Sequence, residues 1–470
     1  MLTSPLVSHR RSPTRLADAR SAACAVLAAS ALALAACGAP TKDRIALVGV
    51  TVFDGTDGPV REDQVIVIRG TKIESIAPRA GFDIPRTAEQ IDLKGKWVIP
   101  GLIDAHTHVD RWSLSRFLAF GVTSVRDLHH QQDSIIALHE EITLGAIRAP
   151  RLYIAGAMLD GEPVGQPGAT SVGDADAGRR AVDERAVANI PLVKTYTRIT
   201  PALLKAIVDE ATSLNLPVTS HLGLVDAVSA ARLGVKGIEH LTGIPEAIGP
   251  AERFYAAHRR SYFAGWTMFE QAWAGLDSAA LARVAGQLAE LRVTLIPTLV
   301  LHETWSRLDD PAITTGSDLA YVPKGVKDAW DLPNFVAGAG WDAAVFTSFR
   351  AGRAKQDLFL REFRAAGGII VAGTDASNPM IIPGASLHEE MSLLVRAGFS
   401  SQDALLAATG RAAALIGADS IGVLAPGKVA DLLVLDADPR ADIGNTRRIM
   451  RVMLAGALMS RDSLDQVAHR

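Results

Sequence analysis

Residues 101–108 read GLIDAHTH. In an extended strand successive side chains alternate between faces, so His106 and His108 point one way and Thr107 the other. The residues leading in, KWVIPGLID, are largely apolar, as in a strand covered on both faces. Two imidazoles side by side at the end of a buried strand suit a metal ion. The same pair also occurs in plain polar loops, so the rest of the chain has to decide.

Working outward, the middle of the chain alternates strand and helix signals. Strand candidates are VIPGLIDAHTH, GVTSVRDL, RLYIAG, LVKTYT, PVTSH, GIEHLTG, VTLIPTLVLHE and GIIVAGTDA. Between most of them lie helical stretches such as PALLKAIVDEATSLN and LVDAVSAARLG. Eight strand–helix units predict a (β/α)8 TIM barrel over residues 100–416. A doubly wound sheet would carry a Gly-rich phosphate turn after its first strand, and none is present. Residues 44–99 and 417–470 instead alternate short apolar runs with turn signals. They predict one small β-domain built from both ends of the chain. Two connections, 244–292 and 304–366, are long and carry Trp266, Trp273, Trp305, Trp330 and Trp341. Loops of this length are lids or binding loops, or they pack a small core of their own.

The chain has 470 residues, is 48% apolar and carries a net charge of −3. It has no long basic run, so nucleic acid is not an expected partner. Residues 1–36 read as a signal peptide: an arginine-bearing start, then AACAVLAASALALAAC, an uncharged run too short to span a membrane comfortably. Its end, LAAC followed by Gly38, resembles a bacterial lipobox with Cys37 as the lipidated residue and 37–43 as a linker. A plain signal peptide and an N-terminal anchor are the alternatives. The lipobox reading predicts a lipoprotein of the cell envelope, facing the periplasm or on the outer membrane. Of the two cysteines, Cys24 lies in the leader. The mature chain then has no internal disulfide.

A barrel of this kind builds its site at the C-terminal ends of its strands. Those ends supply His106 and His108, Lys194 in VKTYT, His221 in VTSHLG, His240 in IEHL and Asp375 in GTDA. Four of the twelve histidines thus sit where a barrel aims them at one point.

With PGLIDAHTH, GVTSVRD, VKTYT, VTSHLG, IEH, GTDA and the tail IGVLAPGKVADLLVLD in this order, the chain resembles the amidohydrolase superfamily, in its imidazolonepropionase-related, prolidase-like branch. The resemblance implies a distorted (β/α)8 barrel with a β-sandwich formed by both ends. It implies two divalent metal ions, zinc being the expected one. His106, His108 and Asp375 would bind one ion and His221 and His240 the other. Lys194, carboxylated by carbon dioxide to a carbamate, would bridge them. The chemistry agrees, because an ammonium cannot ligate a cation and a buried lysine favours its neutral form. A single-metal site with Lys194 nearby is the alternative.

Two such metals lower the pKa of a shared water and polarise a carbonyl. Asp375 would take the proton of that water and pass it to the leaving amine, or serve only as a ligand. His388 reads as opening a helix. Deaminases of this fold carry a glutamate where this chain has Leu224, and Glu239, next to His240, falls on the opposite face of its strand. Hydrolysis of a small amide, of dipeptide or N-acyl amino acid type, is the expected reaction. Tyr196 lies one same-face step beyond Lys194 and Arg198 one step further; with Arg126 at the end of the second strand, they are candidates to hold a substrate carboxylate. Local salt bridges are the other use for them. The chain departs from its relatives in RDLHHQ, which puts His129 and His130 near the mouth, and in MLDGEPVGQPGATSV. A cyclic amide, lactone or ester hydrolase and a non-catalytic metal-binding lipoprotein are the competing functions, and homo-oligomerisation stays open.

Overall fold

The computed structural model describes residues 43–468. The expected signal peptide and the lipidation site Cys37 lie outside the described residues. Among the described residues no helix is long and apolar enough to cross a membrane.

Eight parallel strands form the barrel. We label them β1 (Leu102–Thr107), β2 (Val122–Asp127), β3 (Arg151–Ile154), β4 (Val193–Thr195), β5 (Val218–Ser220), β6 (Gly237–Glu239), β7 (Thr294–Ile296) and β8 (Ile369–Ile370). β1, β2 and β3 pair in one arc and β4 to β8 in another. The chain just beyond β3, Leu159–Gly161, joins the arcs by pairing with β4 at Thr195. Ala105 N donates to Ala372 O at 3.1 Å, and Thr107 bridges Ala376, closing β8 onto β1. Every residue of β1 is buried, which explains its unbroken apolar lead-in. Gly373 permits the closure, since a Cβ there would come within 2.9 Å of the His106 backbone nitrogen.

The barrel helices follow from their caps and stripes. Pro201–Ser213 starts with Thr200, whose hydroxyl accepts from Leu203 N, and with proline in its first turn. It buries Leu204, Ile207, Val208 and Ala211, the spacing of one helical face. Ala227–Leu233 starts at Asp226 and stops at left-handed Gly234.

The seventh strand is shorter than the sequence suggests. VTLIPTLVLHE predicts strand through Glu303, but β7 ends at Ile296 and Leu299–Trp305 is helix. Pro297 cannot donate to the ladder, and Thr298 turns the chain with φ 46°. The long connections are helical. Within them Trp266, Trp273, Trp305 and Trp341 are buried against one another and against phenylalanines, while Trp330 is half-buried.

Strands from both ends share one eight-stranded sheet. Leu433 pairs with Ile99 and Val434 with Val98. Leu47, Ile66, Val98, Leu432, Val434 and Met453 pack together as its core.

Candidate active site

His106 is anchored within β1, and His108 follows one residue past the strand's end. Nε2 of His106 and Nε2 of His108 lie 3.2 and 2.9 Å from Oδ1 of Asp375. Asp375 has φ 68°, a conformation that aspartate tolerates better than most residues. It is held there by donation of its own N–H to His106 O at 2.8 Å. Beneath this pair Asp104, fully buried, accepts from Thr374 Oγ1 at 2.6 Å, from Thr374 N at 3.1 Å and from His106 N at 3.3 Å. One carboxyl group thus joins the two strand ends that carry three of the expected ligands. Burial pushes its pKa up to about 7 despite these bonds.

The other half of the constellation faces the same cavity, of about 640 Å³, which His106, His108, Lys194, His221, His240 and Asp375 all line. The ring of His240 lies 4.5 Å from that of His106 and 4.7 Å from that of His221. Three of the four rings are fixed through Nδ1: His106 by Glu239 Oε2 at 2.7 Å, His240 by Thr298 Oγ1 at 2.7 Å, and His108 by the carbonyl of His129 at 3.2 Å. An imidazole held this way by its Nδ1 presents the lone pair of Nε2. Burial drives His221 and His240 well below the ordinary histidine pKa, helped by Lys194 beside the first and His106 beside the second, so both are neutral. Burial alone would raise Asp375, but the surrounding histidines outweigh it and hold the carboxyl well below its usual range.

These groups fit divalent cations. Oδ1 of Asp375 is buried and makes no well-directed hydrogen bond, although two imidazole nitrogens converge on it. His106, His108 and Asp375 place their ligand atoms within 4.8 Å of one another. Lys194 is 2% exposed and has no carboxylate within ion-pair distance among the described residues. Burial lowers its pKa to about 8 against the pull of Glu239 and Asp375.

The three substrate candidates separate. Tyr196 is buried with its ring 4.8 Å from that of His221, and Arg198 lines the cavity. The Arg198 guanidinium donates to the carbonyl of Pro163 and has no carboxylate within ion-pair distance among the described residues, while its backbone N–H donates to Asp160 Oδ1 at 2.7 Å. Arg126 is not at the mouth. It is 3% exposed inside the barrel, donating to Glu239 Oε1 at 3.0 Å and to Ala105 O at 2.5 Å. That ion pair consumes its charge, so it is not available to a substrate. His129 lines the cavity, with its Nε2 3.1 Å from Pro167 O, whereas His130 lies off that wall. His388 stands within the helix Ala385–Arg396 and bridges Thr446 Oγ1 and Phe120 O at 2.8 and 2.9 Å, away from the site.

Glu239 corrects the sequence reading. Alternation puts it on the face opposite His240, yet both serve the site. His240 and Leu241 have φ 58° and 59°, so the strand geometry ends at Glu239 and alternation no longer applies. Glu239 points into the barrel, and Arg126 and His106 hold its pKa down near 2 against the raising effect of burial. Asp104 was legible by the same alternation, one same-face step before His106. Thr298 was hidden in the over-long seventh strand.

Short stretches match curated enzymes. Over 47 residues the chain is 53% identical to the imidazolonepropionase of Pseudomonas paraeruginosa, covering 10% of this chain and 12% of that enzyme. Over 60 residues it is 44% identical to that of Caulobacter vibrioides, covering 13% and 15%. The chain thus spans about an eighth of the length of the curated relatives it matches. Solved structures match it far more widely. Bottromycin amidohydrolase superposes with a TM-score of 0.70 at 22% identity, over 90% of this chain and 89% of that one. A Xaa-Pro dipeptidase with methionine in its active site gives 0.65 at 20% identity, over 89% and 100%. Ochratoxinase of A. niger gives 0.62 at 18%, over 89% and 96%. At these identities the likeness is one of fold. Residues 97–459, most of the chain, match the amidohydrolase family as a sequence, and the chain belongs to that family of hydrolases.

Proposed function

We propose that this protein is a metal-dependent hydrolase of small amides, of the dipeptide or N-acyl amino acid type. The observation that carries the reading is the convergence of four histidines, Asp375 and Lys194 on one cavity that Arg198 also lines. His106, His108 and Asp375 would hold one divalent cation and His221 and His240 a second, with Lys194 as a carbamate between them; zinc suits this mixed nitrogen and oxygen set. Such ions polarise the scissile carbonyl and make water acidic.

The chain's own residues do the rest. Asp375 takes a proton from the attacking water as the C–O bond forms. When the C–N bond breaks, Asp375 returns that proton to the departing nitrogen, leaving an amine and a carboxylic acid that ionises in solution. Arg198 pairs with the free carboxylate of the amine portion and sets the register of the scissile bond. Tyr196, packed on His221, closes that side of the site against water. The dipeptidase among the structural neighbours agrees with this substrate class.

At the N-terminus, LAAC before Gly38 supports lipidation at Cys37 and residence in the bacterial cell envelope, with the membrane as a second partner. Mass spectrometry of the mature N-terminus tests this: an acylated Cys37 is expected, and an unmodified start elsewhere overturns it.

The decisive experiment is turnover of a panel of dipeptides, N-acyl amino acids, lactones and esters, with and without added zinc. Metal-dependent cleavage led by amides with a free carboxylate is expected. Lactones or neutral esters outrunning every such amide would refute the substrate class. No turnover of any member by metal-loaded protein would refute the enzyme reading.

A further inference from the structure

The cavity has two unlike sides. His129, Gln166 and Arg198 come from the chain after β2, β3 and β4. Tyr262, Phe263, Trp305 and Phe335 come from the insertions after β6 and β7. Barrel order therefore gives the cavity a polar bank and an aromatic bank, which meet where Tyr196, just after β4, stacks on Tyr262 at 6.2 Å.

The aromatic bank is continuous and fixed. The ring of Phe335 lies 5.3 Å from Phe263 and 5.2 Å from Trp305, both edge to face. All three rest on buried Trp341, at 5.7–5.8 Å between ring centres. Trp341 is itself pinned by donation from Nε1 to Thr267 Oγ1 at 2.8 Å. Trp305 donates from Nε1 to Pro379 O at 3.1 Å, in the same loop as Asp375. Phe263 and Phe335 are only half-buried, so an apolar surface stands open to the cavity. Edge-to-face rings at these spacings form a preorganised slot for another flat or branched apolar group.

We propose that this bank is the pocket for the acyl portion of the substrate, and that the enzyme selects amides with a large aromatic or branched apolar acyl group. The inference rests on the amide-hydrolase reading. Arg198, on the polar bank, takes the carboxylate of the leaving amino acid. The scissile carbonyl sits at the ligand cluster between the banks. The acyl group then falls on the aromatic bank, whose four rings outnumber the apolar Met158 and Val164 of the other side. Covering Phe263, Trp305 and Phe335 removes apolar surface from water, which favours larger acyl groups in proportion to the area buried.

The test uses metal-loaded protein and four N-acylglycines: acetyl, isovaleryl, benzoyl and 3-phenylpropanoyl. Both kcat/KM and the calorimetric Kd are measured. The phenylpropanoyl compound is expected to lead the acetyl compound by ~10–100-fold, the effect of burying one large apolar side chain. Phe335→Ala is expected to cut that ratio about tenfold and Phe335→Leu to restore part of it, as loss and partial replacement of buried apolar area require. A flat series, or a Phe335→Ala variant that keeps the wild-type ratio, overturns the pocket. Graded binding without hydrolysis supports the pocket and overturns the hydrolytic reading alone.

Discussion

Glu239 Oε2 lies 2.7 Å from Nδ1 of His106, while its other oxygen accepts from Arg126 and from Thr219. A single buried carboxylate thus orients one expected ligand and neutralises one buried guanidinium. The Glu239→Gln variant should bind metal ~10–100-fold more weakly, the usual cost of removing a carboxylate behind a ligating histidine. It should also unfold more easily, because Arg126 is left buried without its counter-charge. Adding Arg126→Met should restore most of the stability and none of the metal affinity. Chelator competition and urea unfolding of both variants measure the two effects, and a double variant that regains full metal affinity would show that Glu239 acts only through Arg126.

Metal content tests the bridging lysine. Elemental analysis of the saturated protein should give two divalent ions per chain, and Lys194→Ala should lower that number along with activity. One ion at saturation in the wild type, or unchanged content in the variant, contradicts a carbamate bridge.

Replacing Asp375 with asparagine keeps its size and removes its basicity. In metal-replete protein kcat should fall by at least ~10²-fold, as expected for loss of a general base. The unfolding midpoint should move little. Turnover near the wild-type rate would leave Asp375 as a ligand alone.

Arg198→Met should raise KM for carboxylate-bearing amides by ~10-fold or more, since hydrogen bonds to charged groups contribute ~1.5–3 kcal/mol. Uncharged esters should change little. Equal losses on both substrate types would make Arg198 structural, a support for the Pro163 loop to which it is bonded.

A pH effect on stability should come from Glu390. Its Oε2 accepts from Val300 N at 2.7 Å at the start of the helix Leu299–Trp305, and burial raises its pKa to about 8. An unfolded glutamate titrates near ~4.3. Between these values the folded chain binds more protons than the unfolded chain, so this group's stabilisation is full below pH ~4.3 and is lost as pH rises to about 8. Glu390→Gln should flatten that slope in urea unfolding at pH 5 to 8.5 and make the protein more stable than wild type at the alkaline end. An unaltered slope would show that Glu390 ionises normally.

The barrel and the convergence of six side chains on one cavity were legible because each rests on a local signal: an apolar strand with a polar residue at or near its end. What stayed hidden depends on backbone turns that side-chain periodicity does not report. The left-handed residues His240 and Thr298 end their strands early, which turns Glu239 inward and brings Thr298 behind His240. Arg126 reads as a residue of the mouth because it falls near the end of the second strand, yet its side chain turns into the barrel to pair with Glu239. The aromatic bank needed three-dimensional contacts, since Phe263 and Phe335 are 72 positions apart in the sequence (335 − 263) and meet only through helical insertions.

The sheet that joins the chain's ends sets a condition on its biosynthesis. Lys96 and Asp436 form an ion pair at 2.5 Å across 340 residues. At ~5–20 residues per second on the ribosome, the partner of Trp97–Pro100 is made on the order of half a minute later. During that interval the five sheet strands that precede the barrel, Arg44–Val52, Arg61–Arg69, Lys72–Pro78, Ala88–Asp92 and Trp97–Pro100, present an open edge, the kind of surface on which nascent chains stick to one another. The length of the barrel therefore fixes how long the newborn polypeptide is exposed, and any insertion into the barrel lengthens that exposure.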